Sequence, residues 1–419
     1  MSQRSSLSVL VIALALLIVA AGCMAPATPA PAPTQAPAKE EKPAEGTVYK
    51  IGFLASITGG AAFLGEPERD AALMVQKQLD AQGGIVGPDG VRHKVQILIH
   101  DTEGSGDVAI PVAKKLIDDE GVVAIVGTTR SPVSMALLPV MQEAEVVMVS
   151  MASSSSIVEP VAERKWIFKT AQSNKHTAPW QVRYAKAKGL TKVANFYVNN
   201  AYGEDGAKAI REAAAAEGVE IVLEETFGDS DTDMTAQLTK LKASGAQALL
   251  VTAIPPAAPI LTKQFREMGI EMPLIHNHGI GMKPFIVLAG VENAEGVIFP
   301  MGKMVAVSAL LDDDPQKPVL QAFVSEYEAS TGKPASTFAG HAWDALQLII
   351  KALEQLPEGL SLEEQRAQLR DEMEQIKGFP GTGGVFNLSP DDHVGLSPDD
   401  VVLVKITGGE WVYFPPEEW

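Results

Sequence analysis

Residues 122–156 read VVAIVGTTRSPVSMALLPVMQEAEVVMVSMASSSS. Two apolar runs, 122–126 and 146–149, each end in small polar residues: Gly127, Thr128, Thr129, Arg130 and Ser131 after the first, and the serine-rich residues 150–156 after the second. Short all-apolar runs rich in Val are the pattern of strands buried on both faces. Residues 132–145 between them carry Met and Leu at helical spacing, which predicts a helix. Strand, helix and strand of this kind make a parallel βαβ unit. Ligands of open α/β sheets sit outside the carboxyl ends of the strands, so these two loops are the predicted binding floor.

Working outward toward the N-terminus, residues 93–100 and 48–54 read as strands and 108–119 as a helix. Residues 55–66 read as a Gly-rich loop and 67–82 as a helix, with Pro67 near its first turn, where the missing N–H costs little. The order β-α-β-α-β-α-β predicts a parallel, doubly wound sheet. Beyond the central unit a second series follows. Strands are expected at 166–169, 192–198, 220–227, 248–253 and 273–276, alternating with helices at 177–188, 204–217, 233–244 and 257–268. Two β/α series of this size predict an α/β protein of two doubly wound parallel-sheet lobes, with a cleft between the carboxyl ends of both strand sets. Helices at 318–330, 339–356 and 361–376 and short strands at 384–386, 401–405 and 411–413 complete the reading.

The first 46 residues have a different composition. Arg4, the apolar run 7–21 and Ala20-Ala21-Gly22-Cys23 read as a secretory leader with its processing site. The run is shorter than the roughly 20 residues a membrane span needs. Ala-Ala-Gly-Cys resembles a bacterial lipobox, which implies lipidation of Cys23, the one cysteine in the chain. Residues 25–46 are mostly Ala, Pro, Thr, Lys and Glu, a tether that in extended form reaches roughly 70 Å. The chain of 419 residues carries a formal charge of −18. That acidity argues against nucleic acid and anionic lipid as electrostatic partners.

The ordered motifs resemble the extracytoplasmic solute-binding proteins of ABC importers, in the branched-chain amino acid (Leu/Ile/Val-binding) type with the periplasmic-binding-protein type I fold. The resemblance rests on IGFLASITGGAAFLGEPERDAALMVQKQLDAQGGIVG, VVAIVGTTRS, AYGEDGA at 201–207, DTDMTAQLTKLKASGAQALLV at 231–251, PASTFAGHAWDALQLIIKAL and GTGGVFNLSPDDHVGL, spanning 49–413. Asp80 stands where such proteins usually have Asn. The resemblance implies a multi-crossover hinge, with crossovers near 169–173, 300–302 and 379–383, and closure around ligand. The expected division is 1–22 leader, 23–46 lipidated Cys and tether, 47–171 and 302–380 first lobe, 172–301 second lobe, and 381–419 the last crossover with second-lobe strands. It further implies a monomer that hands its ligand to an ABC permease, held at a bacterial cell membrane through lipid on Cys23, with no cofactor and no metal.

Carried over by motif, Ser131 and Ser154 would donate hydroxyl hydrogen bonds to a ligand carboxylate, with Ser153 beside them and Ala152 offering its carbonyl. Hydroxyls and helix N-terminal amides suit an anion. Ser131 equally fits an N-cap before Pro132. Tyr202 would close over the ligand from the second lobe. Phe63 or Leu64 would supply an apolar wall, and Arg130 could fork onto a carboxylate. The resemblance places an acidic residue, partner to a ligand ammonium, in the loop after residues 273–276. Here that loop reads His276-Asn277-His278-Gly279-Ile280-Gly281-Met282, and Gly279 occupies the acidic position. An unpaired buried ammonium is expensive, so these residues favour a carboxylate with an apolar or aromatic body over a free amino acid. His276 and His278 would offer donors to a further polar group, and Ile254 an apolar surface.

Other constellations point elsewhere. Asp229, Asp231 and Asp233 imitate a calcium loop, but Met234 and Lys240 fall where Gly and Glu are required, so a helix-capping cluster is expected. Asp391, Asp392 and His393 read as a solvated turn, and Asp344 as a partner for nearby backbone. The chain has no Gly-x-Ser-x-Gly, His-Glu-x-x-His or phosphate-binding Gly-x-x-x-x-Gly-Lys-Ser/Thr motif. A binder is therefore expected over an enzyme. A sensor reporting to a membrane receptor and an amide-sensing regulatory domain share the fold and stay open.

Overall fold

The computed structural model describes residues 46–419. The leader, Cys23 and the tether through residue 45 lie outside the described residues. The first sheet is built from β1 (Val48–Ala55), β2 (Ile85–Val86), β3 (Arg92–Asp101), β4 (Ala124–Gly127), β5 (Val147–Ser150) and β6 (Ile167–Lys169), in the order β2-β3-β1-β4-β5-β6. All neighbours pair parallel except the edge strand β2. Every residue of β4 and β5 is buried. That follows from helices covering both faces of a parallel sheet, and it is why these strands read as unbroken apolar runs.

The second sheet contains β7 (Lys192–Val198), β8 (Glu220–Phe227), β9 (Ala248–Thr252), β10 (Leu274–His276) and β11 (Ile298–Gly302). β12 (Phe379–Pro380) and β13 (Val385–Phe386) form a separate hairpin. β14 (Val401–Thr407) and β15 (Glu410–Tyr413) complete the second sheet, in the order β15-β14-β11-β10-β9-β7-β8. β14 and β15 pair antiparallel, because a tight turn at Gly408 and Gly409 replaces the helical crossover a parallel pair needs. The helices are α1 (Ala62–Gln82), α2 (Gly106–Asp118), α3 (Ser131–Ala144), α4 (Asn174–Ala187), α5 (Ala201–Glu217), α6 (Thr235–Ala243), α7 (Ala257–Glu267), α8 (Lys283–Ala289), α9 (Val291–Ala294), α10 (Lys317–Thr331), α11 (Thr337–Leu353) and α12 (Leu362–Glu374). One core joins β1–β6 to α1–α3 and α10–α12, and two others lie around the second sheet. All three fall inside the unit Glu45–Trp419.

α1 begins at Ala62, five residues before the expected start, and carries Pro67 in its interior. The added turn is held by tertiary contacts. Ala61 and Leu64 are buried in the second-sheet core, and Gly65 lies so close to β1 that a Cβ there would fall 2.2 Å from the Ser56 carbonyl oxygen. The chain leaves the first sheet after β6 and the second after β11. The return to the second sheet comes later than residues 379–383. Phe386, Leu388, Val394 and Leu396 are still buried in the first core, and the chain enters the second sheet at Val401.

Three buried side chains hold the segment 381–383 against the first crossover and α10–α11. Gln172 donates to the Gly383 carbonyl at 2.5 Å and Gln316 to the Gly381 carbonyl at 3.0 Å. Asp344, on α11, accepts from the Thr382 and Gly383 amides, each at 2.7 Å, and from the Thr382 hydroxyl at 3.0 Å. Burial pushes its pKa up to about 7 against those three donors.

Candidate functional site

β4 and β5 end at the cleft, as parallel strands of an open sheet do. The loop after β4 leads into α3, whose N-cap is Arg130. Ser131 is thus the first helical residue and not the cap. Its hydroxyl accepts from the Ser154 amide at 3.2 Å, so it links the two floor loops. From the second lobe, Asn200 caps α5 by accepting from the Tyr202 and Gly203 amides at 2.9 and 3.2 Å. That cap sets Tyr202 in the first helical turn, facing the floor.

The resulting cleft spans about 440 Å³ of free space, part of it open to solvent, and Arg130, Ser131, Ala152, Ser153, Tyr202, Ile254, His278 and Gly279 all line it. Ser154 is fully buried outside this lining, and its hydroxyl has no partner among the described residues. Phe63 stands outside the lining, half-buried against the second-sheet core; Leu64 takes its place. Thr129, Pro132, Met151, Asn200 and Phe338 also line the cleft and escaped the sequence reading. Asn200 was signalled by its place before a helix. Phe338, on α11, carried no signal, because only the return of the chain to the first lobe brings it there.

Several expectations are corrected. His276 does not face the cleft: its Nε2 pairs with the Thr262 hydroxyl of α7 at 2.9 Å and its ring packs edge-on against Phe285. Arg130 is not free, because its Nη2 donates to Asp229 across the cleft at 2.6 Å. Asp229 also accepts from Asn200 at 2.9 Å, so it belongs to the cleft mouth and not to a helix cap. Asp392 accepts from the Val394 and Gly395 amides, as a turn residue does, but His393 is not solvated: it is buried, stacks on Phe168 and meets the Ile167 carbonyl at 2.9 Å and Glu374 at 3.2 Å. Among the described residues no group of three or more His, Cys, Asp or Glu is placed to hold a metal.

The lobes meet across this cleft. Besides Arg130 and Asp229, Ser153 Oγ and His278 Nε2 lie 2.7 Å apart, and Asp205 of α5 accepts from the Ser155 amide at 3.0 Å. The cleft is closed. Burial, helped by His341, Lys169 and His176, holds the His278 pKa well below its ordinary value, so the ring is neutral. Burial pushes the Tyr202 phenol up, against a backbone hydrogen bond from Gly279. Arg130 is the one charged residue in the lining, and no carboxylate lines it among the described residues. At Gly279 a Cβ would fall 2.6 Å from the Tyr202 hydroxyl and 2.9 Å from both the Ala253 carbonyl and the Ile254 side chain. The position expected to carry an acid has no room for a side chain.

A family model described as periplasmic binding protein matches residues 48–410. The chain belongs to the periplasmic binding protein family. It is 23% identical over 312 residues to the leucine-, isoleucine-, valine-, threonine- and alanine-binding protein of Pseudomonas aeruginosa, covering 74% of this chain and 79% of that one. It is similar to an extracellular ligand-binding receptor from Rhodopseudomonas palustris, at 28% identity and a TM-score of 0.80 over 87% of this chain and 99% of that one. A solute-binding protein of an ABC transporter from R. palustris, solved with benzoate, shares the fold at 21% identity and a TM-score of 0.73, covering 88% and 95%. These relatives of the periplasmic binding protein type are binders and not enzymes. Membership in the family makes the chain an extracytoplasmic solute-binding protein. No described helix is long and apolar enough to cross a membrane.

Proposed function

We propose that the protein is the substrate-binding lipoprotein of an ABC importer, anchored through Cys23, and that it captures a small carboxylate with an apolar body and no α-ammonium. The observation that carries the ligand class is the cleft's charge pattern: Arg130 and the hydroxyls of Thr129, Ser131 and Ser153 in the lining, no lining acid among the described residues, and a sterically closed Gly279. A zwitterionic amino acid would leave its ammonium buried without a counter-charge. Leu64, Met151, Ile254 and Phe338 supply the apolar walls. The benzoate bound by the R. palustris protein is a ligand of this chemistry. A second reading, a free branched-chain amino acid, is favoured by the names of relatives such as the P. aeruginosa protein.

A thermal-shift screen of the full chain against amine-free carboxylates and amino acids separates the two. A ligand at a hundredfold its Kd adds about 2.7 kcal/mol. Stabilisation confined to leucine, isoleucine and valine rejects the amine-free reading. Neighbouring genes for a permease and ATPase support import, and a neighbouring histidine kinase supports sensing.

A further inference from the structure

Lys169 is a buried amine with no ion-pair partner among the described residues. It ends β6 at the start of the first crossover and is fully buried. Its ammonium donates to two neutral oxygens, the Ser153 carbonyl at 3.0 Å and the Ser173 hydroxyl at 2.9 Å. Three carboxylates face it from other segments, Asp205, Glu159 and Asp392, and each is engaged elsewhere. Asp205 accepts from Ser155 and Asn174. Glu159 pairs with Lys175, and Asp392 accepts from the Val394 and Gly395 amides. The remaining neighbours that bear on its charge are bases: Lys175, His176, His278 and His341. Burial lowers the Lys169 pKa to about 7.

A buried ammonium with no counter-ion is costly and persists where something else needs it. Here Lys169 sits one peptide behind the cleft floor. Its acceptor Ser153 lines the cleft and also meets His278 at 2.7 Å. The cleft's other cation, Arg130, is already paired with Asp229. We propose that Lys169 is the counter-charge for the ligand: the cleft takes a small organic monoanion on the Ser153 side of its floor, and Lys169 neutralises it through the Ser153 peptide. The inference rests on the amine-free reading above and names the residue that enforces it. Lys169 is a positioning residue, because it reaches the ligand through Ser153.

The test uses the full chain with three probes, benzoate, 4-methyl-2-oxopentanoate and isoleucine, in thermal shift and calorimetry from pH 6 to pH 8.5. At least one of the two anions binds the wild type. Its Kd rises above pH 7 by up to about tenfold per pH unit, because the ammonium loses its proton there while the carboxylate keeps its charge. Lys169→Met weakens the anion by about thirtyfold or more, yet melts no lower than the wild type in ligand-free buffer. Lys169→Arg restores part of the anion response, which a merely structural lysine would not require. If Lys169→Met does not fold, the wild-type pH series decides. Anion binding that survives Lys169→Met within about threefold, or a Kd flat with pH, overturns the counter-charge while leaving the amine-free reading in place. Binding of isoleucine alone overturns that reading, and no response to either anion overturns the assignment of a small monocarboxylate.

Discussion

Gly279→Ala tests whether the cleft is closed at the position where a ligand-pairing acid would stand. The added Cβ would lie 2.6 Å from the Tyr202 hydroxyl, 2.9 Å from the Ala253 carbonyl oxygen and 2.9 Å from Ile254 Cγ2. Relaxed contacts sit near 3.5 Å, so the neighbours must give by roughly 0.6–0.9 Å. Tyr202 can yield toward the cleft it lines. The Ala253 carbonyl cannot, because it follows directly on β9, which is paired on both sides by β7 and β10. Overpacking of this kind costs about 1–3 kcal/mol. With an unfolding entropy of about 2.1 cal/mol/K per residue over the body, 2 kcal/mol lowers Tm by about 2–3 °C. Urea denaturation reads the same loss as a lower midpoint at unchanged m-value. Gly279→Asp adds a buried carboxylate beside a neutral His278 and falls further. A Gly279→Ala protein within about 0.3 kcal/mol of wild type, or a folded Gly279→Asp protein that gains isoleucine binding, refutes the reasoning.

Arg130→Ala and Asp229→Asn break the same contact across the cleft. Each is expected to weaken capture of a bound anion by about two- to fivefold, the worth of a half-exposed pair. A loss well beyond tenfold in Arg130→Ala alone would mean that the guanidinium forks onto the ligand. Asp344→Asn keeps one acceptor oxygen and turns the other into a donor, so at least one of the three donors at 382–383 loses its partner, and about 1–3 kcal/mol of stability is expected to go with it in chemical denaturation; a loss under about 0.5 kcal/mol rejects the clamp. Burial pulls the pKa values of His176, His276 and His341 down to about 3. At these three histidines the unfolded chain therefore binds more protons below about pH 6.5, so their contribution is complete above that pH and is lost toward pH 3. It is partly offset by Asp344, whose raised pKa makes the folded chain hold an extra proton below about pH 7. The histidine slope is at most about 4 kcal/mol per pH unit when all three titrate together. Equal denaturation midpoints at pH 7 and pH 5 contradict it.

The sequence alone determined the two-lobed α/β plan. Parallel strands buried on both faces must be apolar throughout, and 122–126 and 146–149 show that without any tertiary information. The same unit located the floor loops, because strand ends in such sheets are where ligands sit. Tertiary structure decided the rest wherever a residue's role depends on the opposite lobe. α1 starts early because Leu64 is held by the second-sheet core. Ser131 bonds Ser154 where a cap was equally legible. Arg130 is taken by Asp229, 99 residues away in sequence. His276 and His278 look alike in sequence, but one ends β10 facing α7 and the other begins the turn that reaches Ser153. Local pattern reports which face of an element is apolar. It does not report which distant element covers that face, and the cleft is made of such distant pairs.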